Sequence, residues 1–399
     1  MYAASVELDP EARRASGDLD VRFVPDLRVE ELVFRLWANG PSPAEAGSDL
    51  RITSVEAGAG GAEAQQPDPT TLVVELEEPL EAGEPIGVHM EWEWDLPGDI
   101  DDRTATVGDA VRMGTFLPLL AWEPGVGWAR EPPTSGFAET VTSPIADYEV
   151  SIDVPEGFEV LATGRMDGGG TWRATAVRDF AASVGRFRTA RARVDVGEPV
   201  DVIVGVHEGV DQAPEEFLRQ VVSALRRFSF VYGAYAWPTL TVAVTPELGG
   251  GIEFPTHLML GPSTLGRTTT HEVAHMWFYA LVGNDQARDP WLDEGLASWA
   301  EARAEDQLDQ FRSSPVPEDA AGRVGEPMTY WEEHLASYYR GVYVQGAVAL
   351  GELGSPELVD CALAHYVARN AWRVATTEDL FSSLEVVFPD AREVLLPAL

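Results

Sequence analysis

From residue 1 to about 195 the chain alternates apolar and polar positions in short runs closed by turn-forming clusters. Successive side chains of a strand point to opposite faces, so a two-residue period marks a sheet with one buried face. The runs Ser5–Leu8, Asp20–Val24, Glu31–Trp37, Thr71–Leu76, Ile86–Trp92, Tyr148–Val154 and Phe180–Phe187 are the expected strands. Asn39-Gly40-Pro41-Ser42-Pro43 and the stretch 58–68 punctuate them, and this spacing predicts an antiparallel β domain. Stretch 58–68 reads as a hairpin loop rather than a linker, because alternation resumes on both sides of it. Gly168-Gly169-Gly170 falls between strands and reads as a turn, not a phosphate cradle.

Near Asp211 the period lengthens to that of a helix. Phe217, Val221, Leu225 and Phe228 share one face of a helix expected over Ala213–Val231, and Leu240–Val244 follows as a strand. A second apolar stripe (Val273, Ala274, Trp277, Phe278, Leu281) predicts a buried helix over Thr268–Val282. Leu296, Ala297, Trp299 and Ala300 predict another around Glu294. Glu332–Leu353, Pro356–Arg369 and Thr377–Val387 read as further helices. The expected fold class is α+β multidomain, with an N-terminal antiparallel β-sandwich or saddle domain over 1–196 and a mainly helical domain over 197–399.

Charge narrows the range of partners. Against 66 acidic residues stand 28 basic ones, all of them Arg, for a formal charge of −38. Phosphate binding needs a clustered basic surface, so nucleic acid is not an expected partner, and the same field repels an anionic membrane. The acidity reads as a solubility or salt-adaptation feature. Without Lys, Schiff-base chemistry is excluded. The single Cys361 forbids an internal disulfide, and its apolar neighbours Leu358, Val359, Ala362 and Leu363 place it in the core. No apolar run approaches the roughly twenty residues that span a bilayer, so no membrane insertion is expected. Alternation begins almost at Met1, without a charged leader or apolar signal segment, and a removed secretion signal or lipid anchor stays open.

One stretch specifies a chemistry. His271-Glu272-Val273-Ala274-His275 is followed, after 18 intervening residues, by Glu294 within Trp291-Leu292-Asp293-Glu294-Gly295. Helical positions four apart lie on one face, so both imidazoles can converge on one ion, and a carboxylate from a neighbouring helix completes the set. Two neutral nitrogens, one anionic oxygen and a fourth position left to water make the open pattern of a catalytic zinc site, one Zn2+ per chain. Glu272, one position after a ligand, is placed to act as general base toward a zinc-activated water. Glu301 lies seven residues after Glu294 on the same face, where it either orients a ligand imidazole or faces solvent. His257 near the site reads as structural, and His89, His207, His334 and His365 lack a partner at metal-binding spacing.

These motifs resemble the gluzincin zinc metallopeptidases of the aminopeptidase N-like family, in a short, two-domain form without the C-terminal helical domains. Upstream, Gly250-Gly251-Ile252-Glu253-Phe254-Pro255 is similar to that family's Gly-Ala-Met-Glu-Asn exopeptidase strand. Downstream, Val342-Tyr343-Val344-Gln345-Gly346-Ala347 is similar to its Tyr-Glu-Lys-Gly-Ala segment, and the likeness is specific from about 236 to 350. The resemblance implies a thermolysin-like catalytic domain and a zinc-dependent aminopeptidase that hydrolyses the N-terminal peptide bond by attack of zinc-bound water activated by Glu272. It implies that Tyr343 stabilises the oxyanion, a role for which Tyr338 and Tyr339 compete.

It implies too that Glu253 binds a free α-ammonium from an edge strand on which Gly250, Gly251 and Ile252 line the substrate. The alternative for Glu253 is a solvent-facing side chain. Two departures stand out: Phe254 replaces the motif's Asn or Tyr, and Pro118 in Thr115–Glu123 stands where the family places an amide or acid near the amine, with Glu123 as a candidate substitute. A peptide with a free N-terminus is the expected partner, and no obligate protein partner follows from the sequence. A zinc endopeptidase or small-amide hydrolase on the same site, or a silent peptidase-like binding module, are the competing readings.

Overall fold

The computed structural model describes residues 1–58, 60–61, 63–134 and 142–399. Its N-terminal half is built from sheets. Eight strands run in the order Arg165–Met166, Thr171–Val177, Ala146–Asp153, Tyr2–Asp9, Arg14–Phe23, Ile86–Asp95, Asp49–Ala57 and Gly60–Gly61. Two four-stranded sheets accompany them, one formed by 159–162, 182–185, 110–113 and 104–107, the other by 119–120, 29–35, 71–80 and 63–68. Alternation along Tyr2–Asp9 puts Tyr2, Ala4, Val6 and Leu8 into the core, as a half-buried strand requires.

Two details depart from the sequence expectation. Tyr2–Asp9 pairs in parallel with Ala146–Asp153, so the large sheet is mixed rather than wholly antiparallel. Glu63–Asp68, expected as loop, is a strand at a sheet edge. Its side chains are almost all exposed, which leaves no apolar alternation to betray it.

The second half opens on a five-stranded sheet ordered Phe187–Asp195, Pro199–His207, Thr239–Val244, His257–Leu260 and Gly251–Phe254. The first two strands form a hairpin whose turn falls at the expected domain division of 196/197, so Phe187–Asp195 shares its sheet with the residues that follow it. Gly251–Phe254 is the outer strand, paired antiparallel to His257–Leu260 alone. Pro214–Tyr232 buries Phe217, Val221, Leu225 and Phe228, as its spacing predicts. Helices Arg267–Ala274, Trp291–Ala304, Pro356–Asn370 and Thr377–Leu384 make up most of the remainder. One apolar cluster runs through both halves.

Two expected helices are interrupted. The stripe over Thr268–Val282 is buried throughout, but the helix stops at Ala274, with Tyr279 at a positive φ of 130°. Periodicity reports burial, which a tight turn supplies as well as a helix does. Glu332–Leu353 divides into short pieces, among them a π-helical turn at Tyr339–Val344. Cys361 is exposed, contrary to expectation. The buried face of its helix is carried by Val359, Ala362, Leu363, Tyr366 and Val367, and Cys361 points away from it. Among the described residues, no helix is long and apolar enough to cross a membrane.

Candidate metal centre

Helix Arg267–Ala274 carries His271 and Glu272, and His275 caps its end; all three are buried. The early stop has a use. In a continued helix the Phe278 carbonyl would take the Val282 N–H, but Val282 bonds to Trp277 instead, and the Phe278 carbonyl lies 3.0 Å from His275 Nδ1. Arg178, buried, donates from Nε to the Tyr279 carbonyl and so holds this turn.

Glu294 enters from helix Trp291–Ala304. His271 Nε2 lies 2.9 Å from Glu294 Oε2 and 3.0 Å from His275 Nε2, and His275 Nε2 lies 3.4 Å from the same carboxylate oxygen. Glu301, two turns further along the same helical face, sets its Oε2 at 3.3 Å from His271 Nδ1 while its Oε1 accepts from Arg267 Nε at 2.6 Å.

These contacts decide whether a metal fits. A carbonyl or carboxylate can only accept, so each Nδ1 facing one carries the proton, and each neutral ring turns a bare Nε2 lone pair inward. Two such lone pairs and a carboxylate oxygen converge with nothing positive between them. The carboxylates make this a place that draws positive charge: burial disfavours the His275 imidazolium, but Glu294 and Glu253 outweigh it and lift the group to about 10. Glu294 falls well below the usual carboxylate range, because the two imidazoles overcome its burial. Glu272, driven by burial, rises to about 8, and its Oε2 has no hydrogen-bond partner among the described residues. Two imidazoles and one carboxylate suit zinc.

The edge strand supplies the opposite wall. Glu253 is 8% exposed, and a carboxylate oxygen of Glu253, one of Glu272 and a nitrogen of His275 lie within 4.8 Å of one another. Gly250 has open space where a side chain would be, and Ile252 is half-buried beside it. Phe254, the departure from the exopeptidase motif, is buried, and a Cβ on Gly114 would meet its ring at 2.6 Å. That ring thus fastens the edge strand to the β half. Glu123 is occupied elsewhere: it accepts from Arg288 at 3.0 Å, and Arg288 also reaches Glu131 at 2.7 Å and Asp285 at 3.2 Å.

Tyr343 sits in the π-helical turn with its ring stacked on His271 at 5.5 Å and 16°. Tyr339 also touches Tyr343, at 5.2 Å, but is 48% exposed and accepts from Arg267. The segment reaches the Glu294 helix through two glycines, a Cβ on Gly346 standing 3.0 Å from Gly295 Cα. His257 plays the structural part expected of it. Buried between Thr241 and Ser183 hydroxyls, its ring is pushed down to about 3 by burial and stays neutral.

Gln286, to which nothing in the sequence drew attention, donates from Nε2 to Glu253 at 3.3 Å and to Asp293 at 2.8 Å. Only its place in the short link between the two motifs could have marked it.

A peptidase family M1 domain matches residues 262–394, the span that holds both imidazoles, Glu294 and Tyr343. This part of the chain thus carries a peptidase family M1 domain. Human aminopeptidase B is 25% identical over 233 residues, covering 49% of this chain and 35% of that protein. Aminopeptidase N of Plutella xylostella is 28% identical over 189 residues, with 38% and 20% covered, and leukotriene A-4 hydrolase of Xenopus laevis 27% over 187 residues, with 42% and 29%. The chain therefore spans about a third or less of these relatives' length.

Similarity of fold extends over the whole chain. The M1 zinc metallopeptidase of Deinococcus radiodurans superposes with a TM-score of 0.69 at 19% identity, covering 99% of this chain and 92% of that one. A mutant of that enzyme bound to a Tyr-Ser-Ala substrate gives 0.71 at 20% identity, with 100% and 94% covered. A β-rich half followed by a helical M1 domain is thus the two-domain architecture of that enzyme.

Proposed function

We propose that the chain is a zinc-dependent aminopeptidase that removes the first residue from peptides with a free N-terminus. One observation carries the reading: the buried carboxylate of Glu253, in no ion pair within 4.0 Å among the described residues, shares a pocket with Glu272 and His275 beside the Glu294 carboxylate. A buried carboxylate without a counter-ion is costly, and an incoming ammonium group offsets that cost. Peptides lacking the charge at that point gain nothing from it, and this separates exopeptidase from endopeptidase action.

Zinc, held by His271, His275 and Glu294, would supply Lewis acidity and an activated water. The protein's own groups do the rest. Glu272 takes a proton from the nucleophile and passes it to the leaving amine, a task suited to a carboxyl group whose burial raises its proton affinity. Tyr343, beside His271, donates to the developing oxyanion. Gly250, Gly251 and Ile252 present the edge strand to the substrate backbone, and Glu253 sets the register by holding the α-ammonium. Glu301 holds His271 in the tautomer that leaves Nε2 free.

The test is a set of fluorogenic amino-acid amides, each with a free and an N-acetylated amine, assayed before chelation, after chelation and after zinc is restored. Cleavage that strongly favours the free amines and is restored by zinc is expected. Equal cleavage of both forms would assign the site to an endopeptidase or small-amide hydrolase, and absence of turnover with zinc bound would leave a binding module.

A further inference from the structure

We propose that Gln286 is a positioning residue that sets selectivity for a free α-amine by holding Glu253 in place without neutralising it. The inference rests on the aminopeptidase reading and adds to it the group that governs its anchor. Gln286 is 2% exposed, on the link between the His271–His275 segment and the Glu294 helix. A primary amide nitrogen has two hydrogens, and here both are committed, one to Glu253 Oε1 and one to Asp293 Oδ2. Asp293 in turn accepts the Glu294 N–H on its other oxygen at 2.9 Å. The amide thus joins the edge strand to the first turn of the helix that bears Glu294, and fixes the anchor relative to the metal centre.

Its neutrality matters as much as its reach. Arg or Lys at 286 would also donate to Glu253, but would cancel the charge that an ammonium group is to meet. An apolar residue would leave Glu253 free to turn toward other donors. The link itself is rigid: Asp285 Oδ1 accepts the backbone N–H of Ala287 and of Arg288, and Asp285 is paired with Arg288, which reaches across to Glu123 and Glu131 of the β half. Gln286 is therefore presented from a fixed platform.

The experiment compares the full-length parent with Gln286→Met, which keeps the length and removes the donors. On the amino-acid amide that the parent cleaves fastest, kcat/KM should fall roughly 10- to 100-fold, mostly through KM, the loss typical of a hydrogen bond to a charged group. The residual rate on the N-acetylated amide should not change, so the free-to-acetylated ratio falls by the same factor. Zinc content by elemental analysis should equal the parent's. In chelated protein, calorimetric affinity for the unlabelled amino-acid amide should drop about 10-fold.

Should Gln286→Met fail to fold, Gln286→Ala, which also removes both donors and adds no charge, carries the same expectation. An unchanged free-to-acetylated ratio in a folded variant overturns the role of Gln286 alone. A parent that does not discriminate the two substrates overturns the Glu253 anchor and this inference together.

Discussion

Glu272 packs directly against Gly251: a Cβ on Gly251 would stand 2.4 Å from Glu272 Cγ and 2.6 Å from both Cδ and Oε1. The glycine is needed because the edge strand and the HExxH helix meet there, and the base occupies the space a side chain would take. Close approach of substrate, the reason expected from sequence, remains available at Gly250, where nothing lies within 4 Å. Gly251→Ala should therefore displace the Glu272 carboxylate and leave the metal ligands alone. We expect kcat to fall at least 10-fold, in line with the 10²–10⁴-fold that general acid–base catalysis commonly contributes, with zinc stoichiometry unchanged. Kinetics beside elemental analysis checks this, and a parental kcat would count against Glu272 as the base.

Glu301, itself buried, faces His271 Nδ1 with one oxygen and the half-buried Arg267 with the other. Losing the acceptor frees the imidazole to rotate or to take the other tautomer, which turns a protonated nitrogen toward the metal position. Glu301→Ala should weaken zinc binding by about 10- to 100-fold, the range found when a ligand's supporting partner is removed. Competition with a chelator of known affinity measures this without any turnover. Unaltered affinity would return Glu301 to an ion pair with Arg267 and no more.

Tyr343 is set by its π-helical turn so that its ring stacks on His271. If its hydroxyl meets the oxyanion, Tyr343→Phe keeps the ring, the stacking and the metal while removing a transition-state donor. The expected cost is about 10²–10³-fold in kcat with KM little changed, as for other single oxyanion donors. Tyr339→Phe, altering a ring that is exposed and tied to Arg267, should leave kcat within a few-fold. If the two variants exchange these outcomes, the donor is Tyr339.

The motif residues were legible because spacing on a helix is local geometry. His271 and His275 are one turn apart, and Glu294 with Glu301 two turns apart, so their shared faces follow from the sequence alone. What no local rule conveys is an interaction between segments. Gln286 matters only because Glu253 and Asp293 arrive beside it from different elements, and Gly295 and Gly346 matter to each other only because two helices touch there. Periodicity also reads burial and not hydrogen bonding, which is why Phe278 and Leu281 were expected inside a helix and lie inside a turn. Glu63–Asp68 is the converse, a strand paired on one side and wet on both faces, without a pattern to read.

Asp179 makes the stability of the fold depend on pH. It is buried near Tyr2, Tyr148 and Tyr279, and burial raises its carboxyl group to about 7, although Thr115, the Phe180 N–H and Arg103 pull the other way. Neighbouring Arg178 does not pair with it, since its three nitrogens serve the carbonyls of Tyr279, Ser143 and Arg373. The folded state therefore binds the proton more tightly than the unfolded chain, whose carboxyl group sits near 3.8. By linkage, this residue's contribution to stability is best below about pH 4, declines as pH rises to 7, and is level above that. The full penalty at neutral pH is roughly 4 kcal/mol as an upper bound. Asp179→Asn keeps an oxygen for the Phe180 N–H, which Asp179 Oδ1 accepts at 2.6 Å, and removes the charge. Denaturant unfolding of parent and variant should show Asn stabilising at pH 7.5, less so at pH 5.5, and not at all near pH 4. A gain of equal size at all three would mean that Asp179 is ionised in the folded protein throughout, with the variant acting through packing instead.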